Sequence, residues 1–160
     1  MKSASSKDIK SALLDLEAPE LTALCLRLAR FKLENKELLT YLLFEAQDED
    51  QFISYIKEEI VENFRNINDS NVYLLKKSVR KIIRRTEKYI RYSGKETTAA
   101  ELYIELLKNL ARFQSQLSKS TVLKNMYNAL LKKLKKCIQD MHEDLQYDFN
   151  KSFEEIQIDI

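Results

Sequence analysis

Residues 70–94 read SNVYLLKKSVRKIIRRTEKYIRYSG, and the fold class turns on this stretch. Val72, Leu75, Val79, Ile82, Ile83 and Ile90 recur at the 3.6-residue period of a helix with one buried face. Ser70 is a residue type that caps helix starts, and Gly94 stands where a left-handed C-terminal cap would stop the helix. Gly94 is also the only glycine among 160 residues. A chain with one glycine has no supply of tight hairpin turns for a sandwich or barrel, and no Gly-rich phosphate loop or dinucleotide fingerprint. The expectation is an all-α protein.

Working upstream, Asp48, Glu49 and Asp50 place acids at the positive end of a helix whose stripe is Phe52, Ile53, Ile56, Ile60, Phe64 and Ile67. Before it, Asn35 is read as the cap of a helix bearing Leu38, Leu39, Leu42, Leu43 and Ala46, apolar enough to be buried on two faces and so central. Pro19, the only proline, suits the first turn of a helix carrying Leu21, Leu24, Cys25, Leu28 and Phe31. A short first helix is expected over residues 6–16. Downstream, Thr98 and Glu101 have capping-box spacing ahead of Ala99, Leu102, Tyr103, Leu106, Leu110, Phe113 and Leu117. A last helix is predicted over residues 120–149, with Leu123, Tyr127, Leu130, Leu134, Cys137 and Met141 spaced by fours and threes; at ~1.5 Å per residue it would exceed ~40 Å.

The reading gives about seven helices in three antiparallel hairpins, over residues 19–46, 48–93 and 97–149. They are expected to stack as a short α-solenoid or to close as an irregular bundle within one all-helical domain, residues 1–160. Residues 1–7 and 150–160 are expected to be flexible or loosely docked; the alternating end, Phe153 to Ile160, reads as a loose strand-like segment, a helix extension or a docking peptide. Leu28-Ala29-Arg30-Phe31 recurs as Leu110-Ala111-Arg112-Phe113, and the hairpins have the length of helix-pair repeats. In repeat length the chain resembles short HEAT or TPR arrays, without TPR signature residues or any other family motif. The resemblance implies stacked hairpins whose exposed surface binds another macromolecule.

Composition removes many chemistries. The longest runs free of charged residues, 38–44 and 125–131, are seven residues long, against ~18 for a membrane span. Residues 1–7 lack the apolar core of a secretory signal, so a cytoplasmic location is expected and the glycosylation-like triplets at Asn68 and Asn150 carry no meaning. Cys25 and Cys137 lie in apolar stripes and read as small hydrophobes rather than a disulfide framework. His142, the single histidine, has neither a Glu three residues before it nor a second His four residues after it, and reads as a surface residue. Carboxylates are plentiful, but their clusters fit helix starts and solvated faces. No catalytic residue, metal ligand or cofactor site is predicted.

Charge distribution says more than the net value of +2. Residues 76–95 hold nine basic residues against Glu87, and Lys77, Lys81, Arg84, Lys88 and Arg91 form a stripe opposite the apolar face. Like charges at this spacing repel by a few tenths of a kcal/mol, roughly, per pair, so something should compensate them. Two answers compete. Residues 45–69 hold eight acids against Lys57 and Arg65, and antiparallel packing would lay these beside the stripe. Alternatively the stripe faces outward and binds an acidic partner or RNA or DNA phosphates, with Tyr92 available to stack on bases and Tyr89 nearer the core. A second basic patch, Lys132, Lys133, Lys135 and Lys136, is followed by seven acids against Lys151 in residues 140–160; on one continuous helix this is a dipolar rod suited to antiparallel self-association.

The function expected first is a non-enzymatic protein-interaction or scaffold domain with a protein partner, self-associating as a homodimer. The alternative is a nucleic-acid-binding helical module using the basic face of residues 76–95. The two part on whether the acids of the preceding helix cover the stripe.

Overall fold

A computed structural model describes residues 2–156; residue 1 and residues 157–160, which belong to the termini expected to be loose, lie outside the described residues. Among the described residues there are nine α-helices and no strand, so the all-α class is correct and the helix count exceeds the seven expected. The chain, read above as one domain, divides into two compact units between Phe44 and Glu45.

The first unit contains α1 (Ser6–Leu14), α2 (Ala18–Phe31) and α3 (Leu33–Thr40), followed by a π-helical turn over Tyr41–Glu45. A reciprocal capping box starts α1: Ser5 Oγ accepts from the Asp8 N–H, and Asp8 accepts from the Ser5 N–H. Pro19 sits in the first turn of α2 as expected. Asn35 does not cap α3. The cap position is Lys32, and the Asn35 amide instead donates to the Leu28 carbonyl at 2.9 Å, tying α3 to α2. The expectation that this Leu-rich segment is central is also corrected: α1, α2 and α3 contain no buried residue, and Leu42, Leu43 and Phe44 are 55%, 54% and 73% exposed. The π turn has Tyr41 as its buried side chain, while Leu42 stays with Leu38 and Leu39 along an open apolar groove shared with Cys25 and Leu28 of α2.

The second unit begins with α4 (Glu49–Arg65), capped by Asp48, which accepts from the Gln51 N–H at 3.0 Å. Phe52, Ile53, Ile56, Ile60 and Phe64 are buried as read. For α5 (Val72–Ser93) the cap is Asn71 rather than Ser70, whose hydroxyl is bonded to Asn68. Gly94 ends α5 at φ 66°, the left-handed cap its position implied. Helix α6 (Glu96–Ala111) starts two residues before Thr98, so Thr98 is no cap; its buried hydroxyl donates to Glu49 Oε1 at 2.6 Å. The helix expected to run on to Leu117 stops at Ala111, and α7 (Gln114–Lys119) follows as a separate short piece.

The long last helix is two helices, α8 (Thr121–Gln139) and α9 (Glu143–Ile156). Neither glycine nor proline marks the break. The Met141 N–H bonds back to the Ile138 carbonyl, the Gln146 side chain donates to the Met141 carbonyl at 2.8 Å, and Met141 itself turns into the core. Consequently α9 folds back on α6 and α8, with Tyr127 Oη donating to the Ile156 carbonyl at 2.5 Å. Residues 153–156 of the alternating end are therefore a helix extension, and the dipolar rod does not form.

Helix α6 occupies the centre of this unit, packed by α4, α5, α8 and α9. Its only charged residues are Glu96, Glu101, Glu105 and Lys108, and ten of its sixteen residues are buried, the pattern of a helix apolar nearly all round. Each large side chain it buries is worth ~1.5–3 kcal/mol of transfer free energy. Glu49, in the first turn of α4, accepts from Ser93, Lys95 and Thr98, so α4 starts where α5 ends and α6 begins. The Lys57–Glu101 pair at 2.5 Å continues the α4–α6 alignment. Glu96 at the start of α6 acts on Cys137 near the end of α8. Both α5 and α8 thus run antiparallel to α6 and parallel to each other.

Candidate nucleic-acid interface

Helix α5 presents two opposite faces because its residues sort by kind at helical spacing. Leu75, Val79, Ile82 and Thr86 are buried. Lys77, Lys81, Arg84, Lys88 and Arg91 advance by four and three residues, and their mean direction lies about 180° from the buried stripe at ~100° per residue. Lys77, Lys81, Arg84 and Arg91 are exposed, and Lys88 is half-buried. At ~1.5 Å per residue the row extends ~21 Å.

The acids of α4 reach the side and the end of α5. Glu59 takes Arg85, with Arg85 Nε 2.6 Å from Glu59 Oε1 and Arg85 Nη2 donating to Oε2 at 2.9 Å. Tyr89 Oη donates to the same carboxylate at 3.2 Å and accepts from Arg85 Nε at 3.1 Å. The Tyr89 hydroxyl and the Glu59 charge hold the Arg85 guanidinium above its ordinary pKa, while burial raises that of Tyr89. Glu49 takes Lys95 at 2.8 Å. Among the described residues no carboxylate pairs with Lys77, Lys81, Arg84 or Arg91. The acidic helix therefore consumes the flank, Arg85 and Lys95, and leaves Lys77, Lys81, Arg84 and Arg91 of the outward row without a carboxylate.

Aromatic residues are arranged differently from the expectation built on Tyr92. Tyr92 is half-buried, with its ring 6.3 Å from that of Tyr89 and edge-on to it, and Tyr89 in turn meets Phe52 at 6.2 Å. Lys88 Nζ lies 5.9 Å from the Tyr89 ring centre. The tyrosine that continues the basic row is Tyr73, 69% exposed and one helical step before Lys77. Its spacing of four residues from Lys77 was the available signal. Exposed Arg80 widens the same face.

On α8, Lys132, Lys133, Lys135 and Lys136 are all exposed, but they do not share one face. Lys133 forms an ion pair with Glu87 of α5. Lys136 lies one turn beyond Lys133 on the same flank, and Lys132, at four-residue spacing from Lys136, shares its outward side. Lys135 is about 160° around the helix from Lys133. Of the four, Lys133 is thus tied to α5, Lys136 and Lys132 follow it around the outward side of α8, and Lys135 lies on the other flank.

Other candidates offer less. Burial, reinforced by Glu96, pushes the Cys137 thiol up to about 12, which keeps it protonated and poorly nucleophilic. Cys25 is exposed in the first unit. His142 Nδ1 lies 3.2 Å from exposed Asp144 on the surface. Among the described residues no group of three His, Cys, Asp or Glu could hold a metal ion, and no helix is long and apolar enough to cross a membrane. A shallow open trough on α4 and α6 is lined by Glu58, Glu59, Glu62 and Glu105, of which Glu59 is engaged by Arg85 and Glu62 by Asn66 at 2.7 Å. Comparison of the chain with known protein families, curated proteins and solved structures finds no match.

Proposed function

We propose that the second unit is a non-enzymatic helical binding module that holds the phosphate backbone of a nucleic acid along the outward face of α5. The observation that carries this reading is the unpaired row of Lys77, Lys81, Arg84 and Arg91, directed away from the core while the neighbouring acids are spent on Arg85 and Lys95. A protein partner would need an apolar centre, because interface cores are depleted in charge and in lysine. This face supplies only Tyr73 and, at its edge, Leu74 among the described exposed large apolar residues. A polyanion needs regularly spaced cations, which neutralise phosphates and release their counterions. We read the arrangement as an irregular bundle around α6, and the scaffold reading loses the continuous dipolar rod that would have supported self-association.

Fluorescence anisotropy with labelled 20-nucleotide DNA and RNA tests this reading. Binding should weaken steeply between 50 and 200 mM salt, with a log–log slope of about −3 if four to five phosphates of a single strand are neutralised. Lys77→Glu, Arg84→Glu and Arg91→Glu together should lower affinity at least tenfold, since each charge reversal replaces attraction by repulsion. An unchanged affinity in the triple variant, or equal binding of poly-glutamate by the native chain, would overturn it.

A further inference from the structure

Resting on the reading just given, we infer that the ligand is double-stranded nucleic acid, held with one phosphate backbone on α5 and the other on α8. The Glu87–Lys133 ion pair is the junction. It neutralises the one acid within the basic segment of α5, and it fixes which flanks of the two helices meet. Arg84 and Arg91 lie three residues before and four after Glu87, on the same flank of α5. Lys136 lies three residues after Lys133, with Lys132 beside it on the solvent side of α8. Positive charge therefore continues from α5 across the junction onto α8. The acidic α9 lies elsewhere: its end is held by Tyr127, which is about 120° around α8 from Lys133.

Because α5 and α8 run parallel, the surface carries two rows of cations. Both helices pack on α6, and the gap between them is spanned by the Glu87 and Lys133 side chains. Each groove of a duplex is bordered by a phosphate backbone on either side. A single strand offers one row of phosphates and satisfies one helix at a time. A duplex satisfies both.

The test compares a 20-base-pair duplex with its single strand, in DNA and in RNA, on the full chain. The native protein should prefer at least one duplex over its own single strand by about tenfold, the effect of roughly two further phosphate contacts. Lys132→Ala with Lys136→Ala should abolish that preference and reduce the salt slope by about 2, leaving single-strand affinity within about twofold. Lys135→Ala, a charge loss on the other flank, should alter neither. Equal affinity of the native chain for duplex and single strand would overturn the inference, as would a duplex preference that survives the double lysine variant. In either case a loss of binding in the α5 triple variant leaves the single-row reading standing. Absence of binding to every probe sinks both.

Discussion

Cys137 shows how one buried side chain links stability to pH. It lies near the end of α8, beside Glu96, and burial with that carboxylate raises its thiol from an ordinary 9.0 to about 12. Below pH 9 the thiol is protonated in both folded and unfolded chains and contributes no pH dependence. Between pH 9 and 12 only the unfolded chain ionises, so it binds fewer protons than the native state and stability falls as pH rises. Tyr103, raised above 10.0 by burial and then by Glu87, acts in the same direction, so the contribution of Cys137 must be isolated by substitution. Urea midpoints measured from pH 8 to 11 should fall more steeply for the native chain than for Cys137→Ala. Parallel slopes would show that the thiol is as free to ionise in the native state as in the unfolded one.

At the scale of elements, α9 depends on a small number of contacts. Its only buried residue is Ile156, whose carbonyl accepts from Tyr127 Oη at 2.5 Å within the core. Removing the hydroxyl leaves that carbonyl without its partner, at a cost of about 1–3 kcal/mol. Since α9 buries only Ile156, the loss should appear as local opening rather than global unfolding. Tyr127→Phe is therefore expected to speed amide exchange in residues 143–156 about tenfold or more while α6 is unaffected; uniform acceleration across both helices would refute a local role. The break that creates α9 was illegible in sequence because it uses neither glycine nor proline, and depends on Gln146 reaching back to Met141. Where punctuation was strong, at Pro19 and Gly94, the reading held. The caps assigned to Asn35, Ser70 and Thr98 failed for a common reason: each side chain bonds to another partner. The hydroxyl of Thr98 bonds Glu49, forty-nine positions away, a pairing that only tertiary structure creates. The central helix was misassigned too. Density of leucine pointed to the segment around residue 40, whereas the decisive feature was the scarcity of charge on every side of α6.

At the scale of the whole molecule, the basic row was legible from spacing alone, but its coverage was not, because that depends on which carboxylates the fold brings near. The same gap between pattern and burial separates the two units. Among the described residues, every buried apolar residue apart from Tyr41 lies between positions 52 and 156. Helices α1, α2 and α3 are nine, fourteen and eight residues long, contain no buried residue, and expose Leu14, Phe31 and Leu33 by 77%, 79% and 70%. Helices of this length are marginal by themselves, since nucleation is costly and packing supplies most helical stability. Hydrogen exchange on the full chain should consequently show α1–α3 exchanging by local opening orders of magnitude faster than α6 and α8, which exchange with global unfolding. Limited proteolysis should cut first within residues 1–44. Equal protection of both units would mean that the leucine and phenylalanine side chains exposed in the single chain are covered in solution; dilution would then restore the contrast if the cover is a second copy, because protection by association depends on concentration.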